Sequence, residues 1–153
     1  MEKLIALSHK QLFFIAIAVA IVLDQAVKYY ILSHESPRFQ SAFIDIILVF
    51  NKGVAFSFLS ALGAYLKWII LAMLILMLCI VLKSEDLFER HFLAFGIIIG
   101  SGFSNLIDRF IHNGVVDYIF WHYKFNFAVF NLADTMINLA IAWIIFSYIF
   151  RRS

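Results

Sequence analysis

Residues 127–150 read FAVFNLADTMINLAIAWIIFSYIF: Asn131, Asp134, Thr135 and Asn138 lie in the first half, and almost nothing polar follows. A run of this length matches the roughly 20 residues an α-helix needs to cross a hydrocarbon core of about 30 Å. A carboxylate inside such a run is expensive, and so is a functional candidate by default. With the helix starting at 127, Asp134 lies about 10 Å along the axis from its outer end, at ~1.5 Å per residue. Asn131, Asp134 and Asn138 then recur at i, i+3 and i+7, a polar stripe that must face the interior of a bundle.

Three other apolar runs share this character. Residues 12–32 are interrupted only by Asp24, Gln25 and Lys28, and residues 65–82 only by Lys67. The third, beginning at 92 and lined by Gly96, Gly100 and Gly102, has to continue to Asp108 or Arg109 to be long enough. Of the 153 residues, 64% are hydrophobic and 14% charged, with a mean hydropathy of +0.95; a soluble domain carries about 25% charged residues. Backbone groups in lipid must bond internally, so the runs are helices. The sequence therefore predicts an all-α membrane protein, a single membrane domain over 1–153 with transmembrane helices at about 12–32, 65–82, 92–109 and 127–150. Lys3 and Lys10 resemble the charged start of a cleavable signal peptide, but the apolar run continues past Asp24 with no small-residue cleavage site, which predicts a retained helix.

The segments between the helices differ in kind. Residues 83–91 are short and charged, a simple connector. The outer loops, about 33–64 and 110–126, are longer. Within them, residues 43–50 are β-branched and aromatic enough for a strand, and an Asn113-Gly114 turn precedes a second strand-like run at 115–123. A small β-containing extracytoplasmic subdomain is the expectation. Lys3, Lys10, Lys83, Arg90, Arg151 and Arg152 fall on one side and Arg38, Lys52, Lys67 and Lys124 on the other, which puts both termini in the cytoplasm. Tyr29, Tyr30, Tyr65, Tyr118, Tyr123, Trp68 and Trp121 gather at the opposite ends as an outer aromatic belt.

The intramembrane charges can be sorted by what neutralises them. Asp24 and Lys28 are one turn apart and can pair within their helix. Asp108 and Arg109 do not face each other but can pair across helices with Lys28 and Asp24. That leaves Asp117 and Asp134 with no evident cation. Two carboxylates in a poorly solvated site cannot both ionise comfortably, so one keeps a proton. The result is one base and one acid at neutral pH, as in aspartic proteases.

Other chemistries fit less well. The single cysteine, Cys79, excludes a disulfide framework, a thiolate zinc site and an iron–sulfur cluster. His112 and His122 flank Asp117, yet no HExxH lies on a helix, and both read as interfacial histidines. Gly100-Ser101-Gly102 lacks a histidine in any span to serve as base, so it reads as small-residue packing together with Gly96. A net charge of +2 is too mild for nucleic-acid binding.

Four segments together match a known family: Asp24-x-x-x-Lys28; Asn51-Lys52-Gly53-Val54-Ala55-Phe56-Ser57; Asn105-Leu106-Ile107-Asp108-Arg109 with Val115-Val116-Asp117; and Phe130-Asn131-Leu132-Ala133-Asp134. In this order, and over most of the chain, they resemble the type II, or lipoprotein, signal peptidases of bacterial membranes. Two departures, Ser104 where the family usually has glycine and Ala128-Val129 where it often has proline, concern backbone shape.

The resemblance implies a catalytic pair, Asp117 and Asp134, acting without metal or cofactor. It implies substrate-binding or supporting roles for Asn51, Gly53, Asn105, Arg109 and Asn131, and a structural polar network of Asp24, Lys28 and Asp108. The implied substrate is a diacylglyceryl-modified prolipoprotein, cut N-terminal to the lipidated lipobox cysteine. A bacterial inner-membrane location, a site near the extracytoplasmic face, contact with membrane lipid, a sufficient monomer and sensitivity to cyclic peptides such as globomycin follow in the same way. The rival reading is a small four-helix cation or proton transporter using Asp24 or Asp134, with an assembly chaperone third. Against transport, the polar residues cluster toward one membrane face instead of forming a path across.

Overall fold

The computed structural model describes residues 7–34, 39–53, 63 and 65–150. Along the chain come α1 (His9–Ser33), β1 (Ile44–Asn51), α2 (Leu66–Lys83), α3 (Glu85–His112), β2 (Val115–Trp121) and α4 (Leu132–Phe150). All four helices are long and apolar enough to cross a membrane. The arrangement is the expected one, four helices with a small two-stranded sheet. Lys3, Pro37, Arg38, the 54–57 part of the first outer loop's motif, Arg151 and Arg152 lie outside the described residues.

α1 opens with a capping box: the Gln11 amide N–H donates to Ser8 Oγ at 3.3 Å, and the Ser8 N–H donates to Gln11 Oε1 at 2.8 Å. α3 is the central element, packed against α1, α2 and α4. Its closeness to α1 depends on glycine. A Cβ at Gly96 would lie 2.8 Å from the Phe13 carbonyl oxygen, and one at Gly100 would lie 2.5 Å from that of Ile17. Bringing two backbones this close is what drives helix association in lipid, where burial of apolar surface offers no advantage. Phe13, at this contact, joins Val81, Phe88 and Ile99 in the apolar core.

Two boundaries differ from the sequence reading. The charged connector is itself helical: α3 begins at Glu85 and passes through a non-helical residue, His91 (φ −138°, ψ 22°), into the spanning part. α4 begins at Leu132, not 127. Phe130 exchanges backbone hydrogen bonds with Ile119 on the free edge of β2, at 2.8 and 3.0 Å. The apolar run from 127 thus finds its backbone partners in a sheet, and Asp134 lies in the first turn of α4.

The sheet is antiparallel, with Ile44 opposite Trp121, Val49 opposite Asp117 and Asn51 opposite Val115. Between Ile46 and Val49 the register slips through an irregularity on β1, a bulge that re-aims the strand's last residues. Asn113 ends α3 in the left-handed region at φ 54°, a conformation asparagine tolerates better than most residues, and β2 follows directly.

The α1–α3 contact predicts that Gly100→Ala destabilises the folded protein in detergent by about 1–3 kcal/mol, the usual range for overpacking, because the new Cβ meets backbone. Gly102→Ala should lower the melting temperature less, since its Cβ would meet the movable Cδ2 tip of Leu74. Thermal unfolding of both variants checks the order.

Candidate active site

Lys28 is buried, and its ammonium lies 2.6 Å from Asp24 Oδ2 and 2.7 Å from Asp108 Oδ2. It also donates to Asn105 Oδ1 at 2.7 Å. One cation for two carboxylates leaves negative charge to be met by neutral donors. Ser104 Oγ donates to Asp24 at 2.7 Å, while the Gln25 amide at 2.8 Å and the Val116 N–H at 3.1 Å donate to Asp108. Arg109 does not join this cluster; its guanidinium donates to the Gly53 carbonyl and so ties α3 to the segment that follows β1.

The start of α4 is closed by groups from several elements. A helix N-terminus leaves its first amides without intrahelical partners, which is costly at the membrane. Here the Leu132 N–H donates to the Tyr118 hydroxyl at 3.1 Å and the Ala133 N–H to Asp24 Oδ1 at 2.8 Å. The Asp134 N–H donates to Asn131 Oδ1 at 2.9 Å, and Asp134 Oδ2 accepts from the Asn131 N–H at 3.3 Å. Asn131 and Asp134 therefore form a reciprocal cap of capping-box geometry, with the carboxylate at the positive end of the helix dipole.

The same asparagine reaches the second carboxylate. Asn131 Nδ2 donates to Asp117 Oδ1 at 2.7 Å and to Asn105 Oδ1 at 3.0 Å. Asn51 Nδ2 donates to Asp117 Oδ2 at 3.0 Å, with its own oxygen accepting from the Gly53 N–H. Asn105 Nδ2 donates to Asp134 Oδ1 at 2.9 Å. Three neutral amides thus hold two carboxylates together. Among the described residues neither Asp117 nor Asp134 has an ion-pair partner. Asp117, on β2, is pushed up to about 7, mainly by burial. The Asn51 amide opposes that shift, the nearby charge of Asp134 adds to it, and Asn131 and the more distant Lys28 oppose it. Burial likewise pushes the Tyr118 phenol up to about 12, so it stays a neutral hydroxyl.

Both carboxylates line a cavity of about 350 Å³, with Asn51, Asn105 and Arg109 on its polar wall and Ile70, Phe127 and Ile137 on its apolar wall. One liquid water occupies about 30 Å³, so the space suits a peptide segment together with water. Among the described residues no group of three His, Cys, Asp or Glu side chains is placed to hold a metal ion. His122 instead lies 3.1 Å from Asp45, and the His112 ring lies against Phe50.

All ten site residues read from the sequence enter these linked networks. Tyr118 is a correction to the expected aromatic belt: it is buried and its hydroxyl accepts from the start of α4, whereas Tyr29, Tyr30 and Tyr65 are exposed. Gln25, Ser104 and Tyr118 are supporting residues that the sequence reading missed. Ser104 is more than a matter of backbone shape, because its hydroxyl serves Asp24 and accepts from Gln25 at 3.0 Å. A signal existed for Gln25 and Ser104, each a polar residue inside an apolar span next to a charged or amide neighbour.

The family model for signal peptidase (SPase) II matches residues 16–150. The chain is similar to the lipoprotein signal peptidase of Helicobacter pylori (strain ATCC 700392 / 26695), 46% identical over 127 residues, or 83% of this chain and 80% of the relative. It is also similar to the lipoprotein signal peptidase of Campylobacter jejuni (serotype O:6), 45% identical over 137 residues, or 90% and 86%. Two solved structures of a bacterial membrane enzyme share the fold at 22% identity. Their TM-scores are 0.76 and 0.75, over 92% and 89% of this chain and 89% and 91% of theirs.

Two outcomes follow from the electrostatics. Asp117 keeps in the folded protein a proton that the unfolded chain loses near 3.8. Between there and about 7 the folded state binds more protons, so this contribution to stability falls as pH rises and levels off above. The melting temperature of the wild type should therefore drop across that window by more than that of Asp117→Asn. Separately, Lys28→Met strands two buried carboxylates and should cost about 3–5 kcal/mol, read as loss of folded protein on size-exclusion chromatography.

Proposed function

Because the chain belongs to the signal peptidase II family, a family of proteases, we propose that it removes the signal peptide from diacylglyceryl-modified prolipoproteins with Asp117 and Asp134 as its catalytic pair. Four spanning helices and this family make it a multi-pass bacterial membrane protein. The observation that carries the residue assignment is the pairing of two carboxylates across one cavity by neutral amides, with no salt-bridged cation on either among the described residues. A structural ion pair would have a counter-charge. A proton-sharing acid and base would have this arrangement.

In the proposed mechanism one aspartate takes a proton from a water held between the pair. The resulting hydroxide adds to the scissile carbonyl carbon while the other, protonated, aspartate gives its proton to the carbonyl oxygen, forming a gem-diol and leaving the first aspartate as the proton carrier. The gem-diol collapses as its C–N bond breaks, a proton passes to the leaving amine, and the cleaved signal peptide departs as a carboxylate. Asn51, Asn105 and Asn131 orient the carboxyl groups without adding charge, each offering donor and acceptor. Arg109, on the cavity wall, holds the Gly53 carbonyl and so fixes the segment that follows Asn51. Cleavage falls N-terminal to the lipidated cysteine, near the extracytoplasmic face, with both termini cytoplasmic. One chain holds both aspartates, so a monomer suffices. A cyclic peptide such as globomycin would compete for the cavity.

Purified protein in detergent should cleave diacylglyceryl-modified prolipoprotein and leave the unmodified precursor intact. Asp117→Asn and Asp134→Asn should each abolish cleavage while remaining folded, and substantial turnover by either would remove that residue from the pair. Wild-type kcat/KM should decline as pH rises through about 7, where Asp117 loses its proton, and a rate still climbing well above that value would contradict a proton-sharing pair.

A further inference from the structure

Asn138 belongs to the polar stripe of residues 127–150, yet none of the networks above includes it. It lies one turn beyond Asp134 on α4, about 6 Å further from the helix start at ~1.5 Å per residue, and lines the same cavity. Its side chain is exposed and has no hydrogen-bond partner among the described residues. Every other asparagine on the cavity wall is committed: Asn51 to Asp117 and Gly53, and Asn105 to Lys28, Asn131 and Asp134. An amide has two donors and an acceptor to satisfy, and leaving them bare at this depth carries a standing cost. Ile70 and Ile137, which also line the cavity, cannot meet that need.

On the reading of the chain as a signal peptidase, the occupant of this space can be specified. The signal peptide lies N-terminal to the scissile bond and continues into the membrane. To reach the carboxyl groups its backbone must leave the helical state near the cleavage point, because an intact helix hides the carbonyl that water attacks. That unwinding frees main-chain N–H and C=O groups where lipid offers them nothing. An extended chain advances about 3.3 Å per residue, so a 6 Å offset spans about two residues. We propose that Asn138 binds the main chain of the substrate about two residues N-terminal to the scissile bond, its amide supplying the hydrogen bonds that unwinding takes away. Asn138 is thus a substrate-positioning residue that reads backbone instead of side chain. It works toward the membrane side of the carboxyl pair, further along α4 from Asp134.

The test is steady-state kinetics of the full-length protein in detergent on modified prolipoprotein, with Asn138→Leu and Asn138→Thr beside the wild type. An interaction made equally in bound substrate and transition state raises KM without lowering kcat when lost. Asn138→Leu should therefore raise KM about tenfold, the scale of a buried main-chain group left without its partner, with kcat unchanged. Its melting temperature should be no lower than that of the wild type, since no bond within the protein is lost. Asn138→Thr, which keeps a donor and an acceptor, should fall between. The KM effect should be the same for precursors that differ in their side chains at the two residues before the cut. An unchanged KM in Asn138→Leu overturns the proposal, and so does an effect that varies with those side chains. A wild type that leaves modified prolipoprotein intact overturns the peptidase reading itself, and this assignment with it; active wild type with unaltered Asn138→Leu overturns this assignment alone.

Discussion

The ammonium of Lys28 sits between the carboxylates of Asp24 and Asp108 and gives a further hydrogen bond to Asn105. A charge at this position is tolerable only when its partners are fixed in place, and a buried pair left incomplete is far worse than none. Because one lysine serves two aspartates, the cluster keeps a negative excess, and that excess draws donors inward. The Ala133 N–H at the start of α4, the Val116 N–H of β2 and the Ser104 hydroxyl of α3 all end on it. The C-terminal parts of α1 and α3, the start of α4 and the first residues of β2 are thus held to a common centre by electrostatics, where packing of apolar surface could not select one arrangement.

One layer further out, the chemistry changes from charge to neutral amides. Asn105 stands at the transition, its oxygen taking Lys28 and Asn131 while its nitrogen serves Asp134. Backbone contacts fix the other two amides as well: Asn131 Oδ1 is committed to the Asp134 N–H and Asn51 Oδ1 to the Gly53 N–H, so their nitrogens have to turn toward Asp117. The carboxyl pair is therefore oriented without being neutralised. An ammonium in the same place would have held one carboxylate permanently ionised and removed the proton sharing on which the proposed water attack depends.

How much of this was legible depended on the kind of signal. The four helices stand out because an unbroken apolar run has few alternatives in a bilayer, and Asp117 and Asp134 stood out as charges left over after local pairing. The first residues of the last apolar run were misread because hydrophobicity is equally consistent with a helix and with a strand edge. Only the partner, Ile119 on β2, decides between them. Tyr118 looked like a belt aromatic because a tyrosine near a membrane end has the same sequence signature whether its hydroxyl meets water or an amide. The pairing of Lys28 with Asp108 and the turning of Arg109 to Gly53 follow from helix rotation, which the sequence leaves open.

The trans-capped start of α4 has a consequence for how the helix sits in the bilayer. Nineteen residues with so few polar groups can slide along the membrane normal with little change in lipid contact. The sockets offered by Tyr118 and Asp24 do not slide, and each accepts one particular N–H. A shift of a single residue, about 1.5 Å, would unseat both while turning every side chain by about 100°. The cap thus acts as a depth stop. It sets the vertical register of an otherwise featureless anchor, and so keeps Asp134 level with an aspartate carried by a different, non-helical part of the chain.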